Sequence, residues 1–296
     1  MRVFVTGATG FIGEAVVREL LGAGHRVLGL ARSEASAAAL ARWGGEAHRG
    51  ELTDAESLTT GARACDGVIH LAFIHDFSAY AAACETDRRV VEALAGALEG
   101  SGKPLVVTSG TALLTPGRIG TEADAPMSGN AAPRAVSEVA AMAAAGRGVR
   151  ASVVRLPPSV HGTGDHAFVP ALIGIARRTG VSAFVGDGSN RWPAVHRLDA
   201  ARLFRLALEN APPGARLHGV AEEGIPLRAI AEVIGAGLGV PVRSLGENEA
   251  RTHFDWLGAF AAIDNATSSA RTREALGWSP TGPGLLTDMR EGGYFA

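Results

Sequence analysis

The chain has 296 residues, 47% hydrophobic and 20% charged, with a net charge of −2. That length supports one large domain or two unequal ones with a full core, and the small net charge leaves no global field to attract nucleic acid or an anionic membrane. Cys65 and Cys84 match no disulfide or metal spacing and suit a reducing cytosol, while no run reaches the roughly 18 apolar residues of a membrane span.

The opening "MRVFVTG" lacks the layout of a secretion signal, so a cytoplasmic location is expected. "RVFVT" (2–6) reads as a strand buried on both faces, followed by "GATGFIG" and a helix over 12–22. Gly7, Gly10 and Gly13 in that turn allow a tight bend and a close backbone approach to a pyrophosphate, with the helix N-terminus facing the anion. The strand–turn–helix context makes a dinucleotide site the expected reading.

The next strand, "RVLGLA" (26–31), ends without the acidic residue that would hold a ribose 2'-hydroxyl. Arg32 and Ser33 could instead bind a 2'-phosphate, so NADP(H) is expected, with NAD(H) as the alternative. After a helix over 34–43, "GELTDAESL" (50–58) is expected to form a turn beside the adenine that includes Leu52. "GVIHLA" (67–72) is a further strand leading Leu71, Ala72 and Phe73 beneath the cofactor, before a helix over 78–99. "PLVVTS" (104–109), a helix over 134–146 and "ASVVRL" (151–156) complete the alternation, which predicts an α/β fold with a doubly wound parallel sheet. After about residue 165 the pattern turns mostly helical, predicting a smaller helix-rich C-terminal layer over one end of the sheet. No repeat or low-complexity tract interrupts the chain, and the dispersed histidines form no metal-ligand pattern.

"TGATGFIG", "DGVIHLA", "VVTSGTALL", "RLPPSVHGTGD", "PAVHRLDAARLFRLALE" and "SSARTREALGWSP" together span nearly the whole chain. With these motifs the sequence resembles the extended and atypical short-chain dehydrogenases/reductases, the NAD-dependent epimerase/dehydratase group. The resemblance implies a Rossmann domain over 1–165 and a substrate domain mainly over 166–296, with parts of 190–220 returning to the Rossmann domain. It implies cofactor contacts from Gly7, Thr9, Gly10, Phe11, Ile12 and Gly13, and from Thr108. The loop bearing Pro157, Ser159 and Val160 is implied to contact the cofactor as well.

Members usually carry a Tyr-x-x-x-Lys proton relay at the start of the helix after the fifth strand. Here that place reads "RAVSE", so Arg134 stands for the tyrosine and Glu138 for the lysine. Lys103 is the sole lysine, and neither Tyr80 nor Tyr294 has a lysine four residues on. The family hydroxyl that hydrogen-bonds the reacting group falls on Ser109 or Thr111. His161 could donate the missing proton, or could be a loop histidine bonded to backbone. Arg134 and Glu138 admit an anion clamp, a carboxylate favouring an iminium substrate, or a plain i,i+4 ion pair worth a few tenths of a kcal/mol. His75 and Tyr80 are expected near the substrate mouth, with Asp76 beside them, while His166, Phe168, Trp192 and His196 would shape the pocket.

The leading expectation is an NADP(H)-dependent reductase of a small carbonyl or imine substrate. A nucleotide-sugar epimerase or dehydratase would need the missing base, and a non-catalytic NADP-binding sensor would not. A homodimer packed through the helices near 78–99 and 134–146 is what the resemblance implies.

Overall fold

The computed structural model describes residues 1–76, 79–129 and 132–296. Residue 78, where the apolar periodicity begins the fourth helix, lies outside the described residues, as do residues 130 and 131 ahead of "PRAVSE".

The first half alternates as β1 (Arg2–Thr6), α1 (Phe11–Gly22), β2 (Arg26–Ala31), α2 (Glu34–Trp43), β3 (Glu46–Arg49), α3 (Ala55–Arg63), β4 (Gly67–His70), α4 (Tyr80–Leu98), β5 (Pro104–Gly110), α5 (Ala135–Ala145) and β6 (Arg150–Leu156). The strands run Val- and Leu-rich because both sheet faces are covered. Val3, Val5 and Val16 belong to one buried cluster, and Phe4, Val68 and Leu94 to another. The "GELTDAESL" segment is corrected here: Asp54 accepts the Ser57 N–H and starts α3, so only its beginning is a turn.

The second half contains more strand than its helical periodicity predicted. It runs β7 (Ser159–His161), α6 (Phe168–Thr179), β8 (Ser182–Val185), β9 (Arg191–His196), α7 (Arg197–Asn210), β10 (Ala215–His218), β11 (Glu222–Pro226), α8 (Leu227–Leu238) and β12 (Val242–Leu245). Four short helices follow, α9 (Glu247–Phe254), α10 (Gly258–Ala261), α11 (Ala270–Leu276) and α12 (Leu285–Glu291). These strands are short, and β9 and β11 carry prolines that read as strand breakers. Pairing makes them strands: β9 sits between β7 and β11, with the register of β11 shifting between Glu222 and Ile225.

The main sheet has seven parallel strands in the order β3-β2-β1-β4-β5-β6-β10. The order reverses between β1 and β4, where the following connections leave to opposite sides and open a crevice at the carboxyl ends. Thr6 and His70, the last residues of those two strands, face each other in register there. α7 packs on α1, and β10 closes the edge beyond β6, so the chain returns to the first layer after its excursion through α6. A second core, around Val169, Ile173, Ile230 and Met289, holds the C-terminal layer together. Among the described residues no helix is long and apolar enough to cross a membrane.

Candidate cofactor and active site

The turn after β1 requires glycine at two points. Gly7 has φ +67°, and a Cβ there would lie 2.7 Å from the Ala72 nitrogen. A Cβ on Gly13 would lie 1.9 Å from the Gly7 carbonyl oxygen, so α1 could not sit so close to the turn. Gly10 caps α1 without a side-chain acceptor, which leaves the first-turn N–H groups for an anion.

A cleft of about 570 Å³ runs from this turn across the switch point. Arg32, Ser36 and the segment Gly50–Thr53 line one end; Phe73, Ile74, His75, Thr108, His166 and Ala167 line the other. The volume and the glycine geometry fit a dinucleotide. Every cofactor residue expected from the sequence lines the cleft except Ser33, Pro157, Ser159 and Val160. The Ser33 hydroxyl instead accepts the Ser36 N–H and caps α2, which hands the lining position to Ser36. Pro157, Ser159 and Val160 are buried where β7 pairs with β9. Arg32 makes no ion pair with any described residue.

The pairing of Arg134 with Glu138 is overturned. Arg134 lies with its guanidinium carbon 3.7 Å from the centroid of the Phe73 ring, donates to the Thr108 carbonyl at 3.4 Å, and approaches Asp87 Oδ2 to 3.9 Å. Glu138 turns the other way and is 1% exposed. It accepts the Ser109 hydroxyl at 3.0 Å, Arg155 Nε at 3.0 Å with Nη2 closer still, and Arg216 Nε at 3.1 Å. Four residues is one turn on α5, but the buried Arg155 on β6 donates to this carboxylate from both Nε and Nη2, while Arg134 lies stacked on Phe73.

The other expected catalytic groups are likewise committed to structure. The Ser109 hydroxyl serves Glu138, and Thr111 donates to Asn265 Oδ1 at 2.6 Å while Asn265 Nδ2 returns a bond to the Thr111 carbonyl. His161 is buried with Nδ1 2.8 Å from Asp288 Oδ2 and its ring against His196; it does not line the cleft. Trp192, expected in the pocket wall, is buried among Phe168 and Phe260 and donates to the Phe260 carbonyl. Tyr80 stands behind the lining, edge-on to Phe73, and its hydroxyl is pushed up to about 12 by burial and by Cys84. His75 and His166 do line the cleft. Desolvation and the charge of Arg134 lower the His75 pKa, which keeps its imidazole neutral at neutral pH.

Behind Arg134 lies a polar chain the sequence reasoning missed. The Ala72 N–H donates to Thr6 Oγ1 at 3.4 Å, Thr6 Oγ1 lies 2.7 Å from His70 Nδ1, and His70 Nε2 lies 3.0 Å from Asp87 Oδ1. Burial alone would raise the Asp87 pKa, but His70 and Arg134 hold it below the ordinary value. An ionised Asp87 accepts a hydrogen bond from Nε2–H, so Nδ1 accepts from the Thr6 hydroxyl. The order hydroxyl–imidazole–carboxylate matches a hydrolase triad, yet Thr6 is fully buried under the glycine turn and can attack nothing. The available signals were His70 closing an apolar strand and Asp87 interrupting the apolar face of α4.

The profile of the NAD dependent epimerase/dehydratase family matches residues 3–217. An uncharacterised protein of Schizosaccharomyces pombe is 52% identical over 100% of both chains. The 2-alkyl-3-oxoalkanoate reductase of Stenotrophomonas maltophilia is 30% identical over 81% of this chain and 77% of its own. Among solved structures, the dTDP-glucose 4,6-dehydratase DesIV of Streptomyces venezuelae, with NAD bound, has a TM-score of 0.78 at 22% identity, covering 98% of this chain and 96% of that one.

Proposed function

Because the chain belongs to the NAD-dependent epimerase/dehydratase family, we propose that it is an NADP(H)-dependent oxidoreductase that reduces a small carbonyl or imine substrate without a Tyr-Lys relay. The observation that carries this reading is the cleft itself, which joins the glycine turn and the unpaired Arg32 at one end to Phe73, His75, Thr108 and His166 at the other. The similarity to the Stenotrophomonas 2-alkyl-3-oxoalkanoate reductase supports reduction over sugar epimerisation.

In this reading the glycine turn and α1 bind the pyrophosphate, and Arg32 holds the 2'-phosphate with its planar fork. A dinucleotide held there would supply a hydride to a carbonyl carbon. The oxygen would then need one proton, ultimately from water, and the imidazoles of His75 and His166 are the side chains at this end of the cleft placed to pass it. Positioning supplies the rest of the rate.

A second reading, a cofactor-binding protein without chemistry, draws support from the commitment of Ser109, Thr111 and Glu138 to structural partners. Titrating the protein with NADPH and NADH, then assaying ketones, imines and activated alkenes, separates the two. Tight NADPH binding with turnover of carbonyls or imines is expected. Tighter NADH binding would refute the role of Arg32, and no turnover with any class would leave the sensor reading. We also propose a homodimer through α4 and α5, supported by the exposure of Val136 and Val139 (60%) on α5.

A further inference from the structure

Two arginines stack on aromatic rings of the cleft rather than pairing with carboxylates. Arg134 lies 3.7 Å from the centroid of Phe73, and Arg197 lies 5.2 Å from that of Phe11; both rings line the cleft. Neither guanidinium makes a hydrogen bond to a carboxylate among the described residues; Asp87, the nearest to Arg134, stops at 3.9 Å. Arg155 behaves otherwise, since Glu138, His218 and the Asp124 carbonyl together take up its buried guanidinium. Arg134 is 15% exposed in its side chain, yet among the described residues the one hydrogen bond of its guanidinium is the long contact to Thr108. None of its N–H groups is among the buried atoms left without a partner, so the unused donors reach the solvent.

Stacking fixes the plane of a guanidinium and leaves its edge open, and that edge is the part which grips a planar anion in two parallel bonds. Among the described residues the one carboxylate side chain lining the cleft, Glu51, belongs to the opposite end with Arg32 and Leu52. The end with Phe73 carries instead His75 and His166, with Arg134 stacked on the Phe73 ring, and among the described residues no acidic side chain lines it.

We propose that Arg134 binds a carboxylate carried by the substrate, so that the substrates are α- or β-oxo acids rather than neutral ketones. This rests on the reductase reading above. The carboxylate stays unchanged while the neighbouring oxo group gains a hydride from NADPH and a proton from solvent, giving a hydroxy acid and NADP⁺. Asp87, held by His70, stands 3.9 Å from Arg134 and helps aim its guanidinium.

The test compares the four-carbon α- and β-oxo acids with their methyl esters, in the wild type and in Arg134→Gln and Arg134→Lys, each first shown to be folded by circular dichroism. In the wild type kcat/KM should favour acid over ester by about tenfold to a hundredfold, the worth of a charge-assisted hydrogen bond. The ratio should collapse toward unity in Arg134→Gln and recover partly in Arg134→Lys. Equal use of acid and ester, a ratio that survives Arg134→Gln, or turnover of phosphorylated ketones in place of oxo acids overturns the proposal. If nothing is turned over, the reductase reading fails. Calorimetry then decides the subsite, using the four-carbon β-hydroxy acid and its methyl ester on the protein with NADP⁺ bound. An acid preference lost in Arg134→Gln upholds the carboxylate subsite, and its absence overturns it.

Discussion

Replacing Glu138 by glutamine decides whether the residue at the lysine position of the relay acts in chemistry or in folding. Its carboxylate gathers Ser109, Arg155 and Arg216 in a space closed to water, and Arg155 is 0% exposed. Glutamine keeps the volume but loses the charge. Arg155 is then left with uncharged acceptors only, the glutamine amide oxygen, His218 Nε2 at 3.2 Å and the Asp124 carbonyl at 3.0 Å. Removing one member of a buried pair costs about 3–5 kcal/mol, whereas Arg216, partly open to water, regains solvation and adds little. Set against a total of about 5–15 kcal/mol, that loss is large, and it should lower the melting temperature by roughly 10 °C. Urea unfolding followed by circular dichroism measures it, and NADPH titration of the folded variant should show unchanged affinity. Changing Arg155 to methionine in the same background should recover part of the loss, because an apolar replacement of a buried pair is often neutral. A variant as stable as the parent but devoid of turnover would refute this reasoning and return Glu138 to the chemistry.

Gly13→Ala forces a Cβ to within 1.9 Å of the Gly7 carbonyl oxygen and 2.9 Å of the Ala8 carbonyl carbon, neither of which can swing aside. NADPH affinity should fall by at least about tenfold with a stability cost of about 1–3 kcal/mol, and fluorescence titration showing parental affinity would contradict the turn geometry. His218 is buried, and desolvation with Arg155 beside it lowers its pKa despite the opposing Ser268 carbonyl. The unfolded chain therefore takes up a proton below about pH 6.5 that the folded chain refuses, and stability falls as the pH drops below that value toward the folded pKa, by up to about 1.4 kcal/mol per pH unit. Urea melts across this range should show a shallower slope for His218→Gln than for the parent; equal slopes would exclude His218 as the source.

The parallel sheet and the dinucleotide turn were legible because both are local: apolar runs such as "RVFVT" and "RVLGLA" announce buried strands, and glycine spacing announces the turn. β3 was not, because "EAHR" is an exposed edge with no apolar alternation. β9 and β11 were not, because their strand character comes from each other and not from "RWPAVH" or "EEGIP". The site divided in the same way. Residues that meet the cleft through backbone position, Gly7 to Gly13 and Leu71 to Phe73, were found from the motif. Arg134, Glu138 and Ser109 depend on which partner wins across the sheet, and the winner for Glu138 was Arg155, a cation inside an otherwise apolar strand. Nothing in the spacing of Arg134 and Glu138 records that competition.

β10 reaches β6 only after the chain has passed through α6, β8, β9 and α7, and its His218 lies in register with Arg155. A ribosome delivers these pieces in order. Until residue 218 emerges, β6 is an open edge bearing a guanidinium whose imidazole neighbour has yet to be made, and such an edge invites pairing with another chain. The first half alone is therefore a poor candidate for a free-standing fragment: a truncation after β6 should collect in aggregates, and one extended through β10 should remain dispersed.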